Sequence, residues 1–200
     1  MKLFFSPSAC SLSPHIVARE AGLDVALERV DTATKKTASG ADYLAIAPKG
    51  MVPALQLDGG TVLTEGAVIV QYLADQKPES KLAPSAGTLE RYRLQEQLNY
   101  IATEVHKGFT PLFNPRLTDE QRLAAKAKLT PHLDRFNTLL GGQDFVTGAS
   151  FSVADAYLFT VLRWSAFVHV DLAPYPALGA FLARVGERPA VKAALAAEQA

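Results

Sequence analysis

The sequence predicts a protein of two domains, a mixed α/β domain followed by an all-helical domain. Strand-like and helix-like segments alternate over residues 1–76, whereas the apolar residues after residue 88 recur at helical intervals and show no strand pattern. The stretch between them, KPESKLAPSAG, has the proline, serine and glycine content of a linker. We therefore expect an α/β domain over residues 1–77, a linker over 78–87 and a helical domain over 88–200.

The composition is that of a globular protein with a sizeable core. The 200 residues are 48% hydrophobic and 20% charged, and 20 basic residues balance 20 acidic ones. A net charge of zero argues against nucleic acid as a partner. One cysteine permits no internal disulfide, and the sequence shows neither a secretory leader nor an apolar run of membrane-spanning length. These features predict a cytoplasmic protein without a membrane partner.

The first 22 residues contain the most reactive candidate, Cys10. A short apolar strand, KLFF, is followed by a Ser/Pro loop and then by a helix that ends near Gly22. Cys10 is expected at the start of this helix, where free N–H groups and the helix dipole favour a thiolate. That position makes Cys10 a candidate nucleophile or thiolate-binding group. A buried cysteine that acts as a small hydrophobe is the alternative, and position alone does not decide.

The rest of the first domain is predicted as strand, loop, short helix, hairpin and helix. Val25 to Asp31 forms the strand, residues 32–41 form a loop that contains Lys35, and a short helix covers residues 42–47. Two apolar runs around Asp-Gly-Gly at 58–60 indicate the hairpin. Pro53 opens its first strand, and a cis bond after Val52 is compatible with that position.

A third helix is predicted directly after the hairpin. Glu65 and Gly66 precede it, and its first N–H groups could hold an anion. Glu65 could instead serve only as a carboxylate that interacts with the dipole of the helix.

The order of these motifs resembles the glutathione-binding half of glutathione S-transferases. The segments SACSLSPH (8–15), PKGMVP (48–53) and LTEG (63–66) are similar to the bacterial beta class, and the resemblance extends through both halves of the chain. It implies a thioredoxin-like βαβαββα domain followed by an all-helical domain. It also implies a homodimer whose substrate is glutathione, while the spacing of the histidines predicts no metal.

The first helix of the second domain has an apolar stripe and a polar row. The stripe is Leu94, Leu98, Ile101, Val105 and Phe109. The polar row, which includes Asn99, Thr103 and His106, would ordinarily be a solvated face. Because this helix borders the cleft and the neighbouring subunit in the beta class, the resemblance implies that five residues help to hold glutathione, some across the dimer interface: Asn99, Thr103, Glu104, Val105 and His106.

The resemblance also implies roles for residues of the first domain. The main chain of Val52, next to Pro53, would pair with the cysteinyl unit of glutathione, and Glu65 would meet the γ-glutamyl amine. Gly66 would hold the γ-glutamyl carboxylate, while Lys35 and His106 would assist at the ends of the tripeptide. Cys10, Ser11 and His106 are the candidate catalytic groups that the resemblance implies, and Cys10 would also contact glutathione.

Two departures from the family pattern bear on this site. Phe5 stands where relatives have tyrosine, so no phenol assists there. Gly66 stands where many have serine, which removes one hydroxyl contact.

The electrophile would lie between the domains against an apolar, aromatic surface. Its expected residues are His106, Lys107, Phe109, Phe113 and Trp164. The reaction implied is attack of the glutathione thiolate on a hydrophobic electrophile, with thiol–disulfide exchange or reductive dehalogenation through Cys10 as variants.

Other functions remain open at this stage. Cys10 and Ser13 form a C-x-x-S pattern, which fits a glutaredoxin-like reductase. A non-catalytic protein that binds glutathione or hydrophobic ligands, or a regulatory module, is compatible with the fold. Asp155 resembles a catalytic acid, but Ser152 three positions earlier makes it the second half of a capping box. The four histidines show no metal-ligand spacing.

Overall fold

The computed structural model describes residues 1–199, and their contacts group them into two units. One unit contains residues 1–83 and 188–199, and the other contains residues 84–187. The change at residue 83 falls within the predicted linker.

Apart from one short additional strand, the first unit has the predicted order of strands and helices. Its strands are β1 (Lys2–Phe5), β2 (Ala26–Asp31), β3 (Lys36–Thr37), β4 (Ala54–Gln56) and β5 (Val62–Thr64), and its first helices are α1 (Leu12–Glu20), α2 (Tyr43–Ile46) and α3 (Gly66–Asp75). A short 3₁₀ turn, Pro78–Ser80, follows. The βαβαββα order expected from the sequence is confirmed.

The strands form one mixed sheet in the order β3-β2-β1-β4-β5. β1 is parallel to β2 and antiparallel to β4, and β4 is antiparallel to β5. β3 corrects the sequence analysis, which predicted a loop there: two residues of that polar stretch pair with β2, Val30 opposite Thr37. A buried cluster of Phe4, Val30, Tyr43, Ala47 and Ala54 packs on this sheet.

The second unit is helical. Its elements are α4 (Leu89–Tyr100), a π-helical segment (Ile101–His106), α5 (Lys107–Phe109), a 3₁₀ turn (Thr110–Phe113), α6 (Asp119–Gly141), α7 (Val153–Leu162), α8 (Trp164–Phe167) and α9 (Pro176–Gly186). α6 continues through Pro131. Every residue of α7 is buried, as expected for a helix that is apolar on all sides.

The first helix of the second unit has the predicted apolar stripe, but its backbone is not regular α-helix throughout. All five stripe residues are buried, with at most 1% of each exposed. Between Tyr100 and Lys107, however, the backbone is π-helical. π-Helical turns are rare and are often found at functional sites.

The last helix, α10 (Pro189–Gln199), belongs to the first unit, whereas the sequence analysis placed it in the helical domain. It packs against α1. Arg188, directly before it, forms a bidentate ion pair with Glu20, with nitrogen–oxygen distances of 2.6 and 2.8 Å. Because of these contacts, α10 belongs to the first unit although it follows the helical unit in sequence.

Candidate active site

Cys10 lies in the turn that leads into α1. The helix begins at Leu12 with Ser11 as its N-cap. Cys10 therefore precedes the N-cap, whereas the sequence analysis expected it at the start of the helix. Ser11 is fully buried, and its hydroxyl accepts from the main-chain N–H of Ser6 and donates to the carbonyl of Ser6, both at 3.1 Å. Ser11 therefore shapes the loop over residues 6–10, and donation to another group would cost it the bond to the Ser6 carbonyl.

Three consecutive carbonyl oxygens, those of residues 50–52, each accept a hydrogen bond from a side chain of a different segment. Lys35 donates to the first at 2.8 Å, Tyr43 to the second at 2.8 Å, and the Cys10 thiol to the third at 3.2 Å. The main chain before β4 is thus fixed by side chains that lie 8 to 42 positions away from their acceptors in sequence. Cys10 and Lys35, both predicted site residues, meet at this segment.

Tyr43 is a residue that the sequence analysis missed. It is fully buried, and burial, with a smaller contribution from the charge of Cys10, raises the pKa of Tyr43 to about 12. The phenol therefore remains a neutral donor to the carbonyl of Met51 throughout the physiological range. Nothing in the sequence distinguishes it from an ordinary core aromatic residue.

Val52, Pro53 and Glu65 lie at one end of the β4–β5 hairpin. The peptide bond between Val52 and Pro53 is cis. Ala54 pairs with Thr64, so the register places Pro53 level with Glu65 on the neighbouring strand. Main-chain groups that could pair with a peptide and a carboxylate that could meet an amine are therefore neighbours.

Glu65 is held by a lysine that the sequence analysis did not consider as a site residue. Lys49 donates to the Glu65 carboxylate at 2.7 Å and to the Thr64 hydroxyl at 3.4 Å. Glu65 has a φ of 71°, a conformation that is uncommon for residues other than glycine, and it makes no capping bond to α3. The exposed Lys49–Glu65 pair therefore lies beside the first turn of α3, where the N–H groups of Gly66 and Ala67 precede the first main-chain bond of the helix, from Val68 to the carbonyl of Glu65 at 3.0 Å.

In the helical unit, His106 contacts two aromatic side chains. Its Nδ1 lies 2.8 Å from the hydroxyl of Tyr157, and its ring packs on Trp164 with 4.8 Å between centroids. The ring of Trp164 is also met edge-on by Phe109 at 6.2 Å and by Phe113 at 5.4 Å. Four of the five residues predicted to meet the electrophile therefore form one aromatic cluster.

The members of this aromatic cluster differ in access. Phe113 is 47% exposed, whereas Phe109 is fully buried and Trp164 nearly so. A ligand at this surface would therefore touch Phe113 directly and Phe109 only after rearrangement. Lys107 is exposed.

The remaining predicted glutathione residues lie around the π-helical segment. The Thr103 hydroxyl donates to the carbonyl of Asn99 at 3.1 Å. Glu104 lies 3.7 Å from Nε2 of His132, whose Nδ1 is 2.8 Å from the hydroxyl of Tyr100. Val105 is fully buried, so it supports the segment from inside.

Asp155 is a capping residue, as the sequence indicated. Its Oδ2 accepts from the main-chain N–H of Ser152 at 2.8 Å and from the Ser152 hydroxyl at 2.7 Å, and its Oδ1 accepts from the N–H of Val146 at 2.7 Å. Burial raises the pKa of Asp155 to about 6, against the opposing effect of these donors. The carboxylate joins the start of α7 to the preceding loop.

Two absences can be stated for residues 1–199. Within this range, no three histidine, cysteine or acidic side chains are placed to hold a metal ion. Nor is any helix described there long and apolar enough to cross a membrane.

The mixed sheet, the cis proline before β4, the cysteine at the approach to α1 and the following helical unit define the glutathione S-transferase fold, a thioredoxin-like domain joined to an all-helical one. Two family descriptions match the chain. "Glutathione S-transferase, N-terminal domain" covers residues 7–76, and "Glutathione S-transferase, C-terminal domain" covers residues 100–189.

Individual relatives agree with this assignment. The chain is 49% identical to glutathione S-transferase GstA of Escherichia coli O157:H7, over 99% of this chain and 98% of the relative. A sphingomonad glutathione S-transferase solved in complex with glutathione is 50% identical, with a TM-score of 0.96 and coverage of 100% and 99%. The beta-class enzyme of Sphingomonas chungbukensis is 50% identical, with a TM-score of 0.95 and coverage of 99% and 98%. The chain belongs to the glutathione S-transferase family, and its structural neighbours include the bacterial beta class.

Proposed function

We propose that this protein joins glutathione, through its sulfur, to hydrophobic electrophiles. The observation that carries the proposal is the contact between the Cys10 thiol and the carbonyl of Val52, directly before the cis bond. It sets a sulfur-binding position against a main-chain segment able to pair with a peptide.

Glutathione would bind to this segment as an added strand. The main chain of Val52, with Pro53 beside it, would pair with the cysteinyl unit. A carbonyl oxygen has two lone pairs, so Val52 can accept a peptide N–H while it keeps the Cys10 thiol. The sulfur of glutathione would then lie near Cys10.

The γ-glutamyl end would lie at the start of α3. Glu65, already bonded to Lys49, would accept its amine, and the first N–H groups of α3 at Gly66 would hold its carboxylate. At the other end of the tripeptide, Lys35 would assist, because its ammonium group has three donors and can keep its bond to the carbonyl of Gly50. His106 is proposed to assist as well.

A homodimer would complete the site. Asn99, Thr103, Glu104 and His106 are polar residues at or beside the π-helical segment, with Val105 as its buried support. We propose that some of these residues reach the glutathione of the neighbouring subunit. The support for this assembly is the family resemblance.

The chemical step is attack by the glutathione thiolate on an electrophilic carbon. With an aryl halide, a carbon–sulfur bond forms, the carbon–halogen bond breaks and halide leaves with the bonding electron pair. Cys10, Ser11 and His106 are the groups proposed to favour the thiolate. Phe5 is buried and has no hydroxyl, so this protein has no phenol at position 5 that could assist the thiolate.

The electrophile is proposed to meet the aromatic cluster. Exposed Phe113 and Lys107, with His106, would bind a flat apolar molecule. Trp164 would contact it only through the 6% of its surface that is exposed, and Phe109 would support Trp164 from inside. An aryl halide or a chlorinated aromatic compound has these properties. We further propose that the enzyme acts in the cytoplasm, where a lone cysteine remains reduced.

The deciding experiment compares glutathione-dependent conjugation of 1-chloro-2,4-dinitrobenzene by the parent and by Cys10→Ala. Activity in the parent that falls in the variant supports conjugation assisted by Cys10. Activity that persists in the variant makes Cys10 a redox or binding residue. No activity in either protein contradicts the proposal and favours disulfide reduction or ligand storage. Glutathione-dependent reduction of a mixed disulfide is the direct assay for the first of these.

A further inference from the structure

Glu198, on α10, is a buried carboxylate of the first unit. Only 4% of its side chain is exposed. Its Oε2 accepts the main-chain N–H of Ser8 at 3.2 Å, and its Oε1 lies 3.2 Å from Nδ1 of His15 on α1. A buried charge is tolerated where hydrogen bonds compensate for its lost hydration, and each oxygen of this carboxylate has one such contact.

The direction of the bond from His15 follows from a third residue. Arg19 donates from Nε to Nε2 of His15 at 2.9 Å. A guanidinium has donors and no acceptor, so Nε2 must offer its lone pair and the proton of the neutral ring must be on Nδ1. His15 therefore donates to Glu198, and the chain of donors runs from exposed Arg19 inward to the buried carboxylate.

Ser8 connects this carboxylate to the thiol. It has a φ of 62°, in the left-handed region, which costs energy for a residue other than glycine. It lies two positions before Cys10, in the loop over residues 6–10. The acceptor for its N–H comes from 190 positions away in sequence, so the shape of this loop depends on α10.

We propose that Glu198 is a positioning residue for Cys10. Through Ser8, it holds the loop over residues 6–10 in the shape that sets the thiol against the carbonyl of Val52. This inference deepens the proposed function and rests on it for the use of the thiol, but the positioning can be measured without any transferase assay.

Glu198→Gln is the informative substitution because it keeps the size and removes one acceptor. The amide has one oxygen and one NH₂ group, so either the N–H of Ser8 or the N–H of His15 must face a donor. A change of tautomer at His15 does not relieve this conflict, because a proton on Nε2 would face Arg19. The loop should therefore open more often in this variant while the rest of the fold persists.

The single cysteine makes the measurement specific. 5,5′-Dithiobis(2-nitrobenzoate) reacts only with Cys10, and its rate can be followed in the parent, in Glu198→Gln and in Glu120→Gln. Glu120 is an exposed carboxylate of α6 and provides the control for a lost charge. Because Cys10 is only partly exposed, we expect modification about tenfold faster in Glu198→Gln and unchanged in the control, as for the loss of one charged hydrogen bond. Amide exchange at Ser8 should accelerate in parallel.

An unchanged modification rate and unchanged Ser8 exchange in folded Glu198→Gln overturn the inference, even if its Tm falls, because a purely structural role would lower stability alone. If that variant does not fold, Arg19→Gln takes its place, since Arg19 is exposed. It should give a smaller acceleration, and no acceleration there is equally decisive against the inference. If the parent had no conjugating activity, the proposed function would be contradicted. The rates of Cys10 modification and Ser8 exchange would still decide whether Glu198 positions the thiol.

Discussion

The phenol of Tyr43 donates to the main-chain carbonyl of Met51 at 2.8 Å, from a side chain that is fully buried. The ring packs on Phe4, with 5.5 Å between centroids, so Tyr43 joins the sheet to the segment that precedes the cis bond. The middle of three consecutive carbonyl bonds in this segment thus depends on a residue of the core.

Tyr43→Phe removes this bond and keeps the ring. We expect a loss of about 0.5–1.5 kcal/mol in the free energy of unfolding, measured by urea denaturation. Glutathione should bind more weakly by up to about tenfold, because the Val52 segment is less fixed. Tyr92→Phe, at a side chain that is 61% exposed, should change neither quantity. Equal stability and equal affinity in Tyr43→Phe and parent would show that the bond is dispensable.

Glu65→Ala tests the position of the γ-glutamyl end. The loss of a charged partner for the amine should raise the Kd for glutathione by about 10- to 150-fold, measured by calorimetry. Glu79→Ala, at another exposed glutamate, is the matched control. Lys49→Met should produce a smaller rise, because Lys49 holds Glu65 without being assigned a contact to glutathione. Affinity unchanged in Glu65→Ala would mean that the site is misplaced.

Asp155 should make stability depend on pH in a direction opposite to that of an ordinary ion-paired carboxylate. Its pKa is raised in the folded protein to about 6, from 3.8, so the folded state holds the proton more tightly than the unfolded state between these values. Its stabilising contribution is complete below about pH 3.8 and is lost as the pH rises through 6. The loss is on the order of 1.4 kcal/mol per pH unit within this window.

The comparison for this prediction is Asp155→Asn, which does not titrate. The stability advantage of the parent over the variant, measured by urea denaturation at several pH values, should narrow between pH 4 and pH 7. An advantage that widens over the same range would show that the donors from Ser152 and Val146 outweigh burial.

Light scattering tests the proposed dimer. We expect a mass of twice the 21.5 kDa of one chain. A monomeric mass at assay concentrations would exclude the cross-subunit roles of Asn99 and Glu104, while the contacts of Cys10, Val52 and Glu65 within one chain would stand.

Much of the fold could be predicted because apolar spacing reports burial. The residues of α7 are apolar except for Asp155 and Thr160 and are all buried, and the stripe from Leu94 to Phe109 is buried as expected. The π-helical segment could not be predicted, since apolar residues three and four apart fit a core stripe whichever hydrogen-bond pattern the backbone adopts. β3 escaped prediction because its two residues become a strand only through pairing with β2.

The site shows the same division. Cys10, Val52 and Glu65 were predicted as site residues from the resemblance of short motifs, and their roles stay predictions. Tyr43 was not, because its partner is a main-chain carbonyl, an atom that every residue of the chain offers. Lys49 stood within a quoted motif, but its use follows from the hairpin register that brings Thr64 and Glu65 to it.

The return of α10 to the first unit has a consequence for the order of events during synthesis. The ribosome releases the chain from its N-terminus, so the whole helical unit emerges before the last helix of the first unit is available. Until then Ser8 lacks its acceptor and Glu20 lacks Arg188. During synthesis, the first unit therefore lacks α10 and its contacts until more than a hundred further residues have been translated.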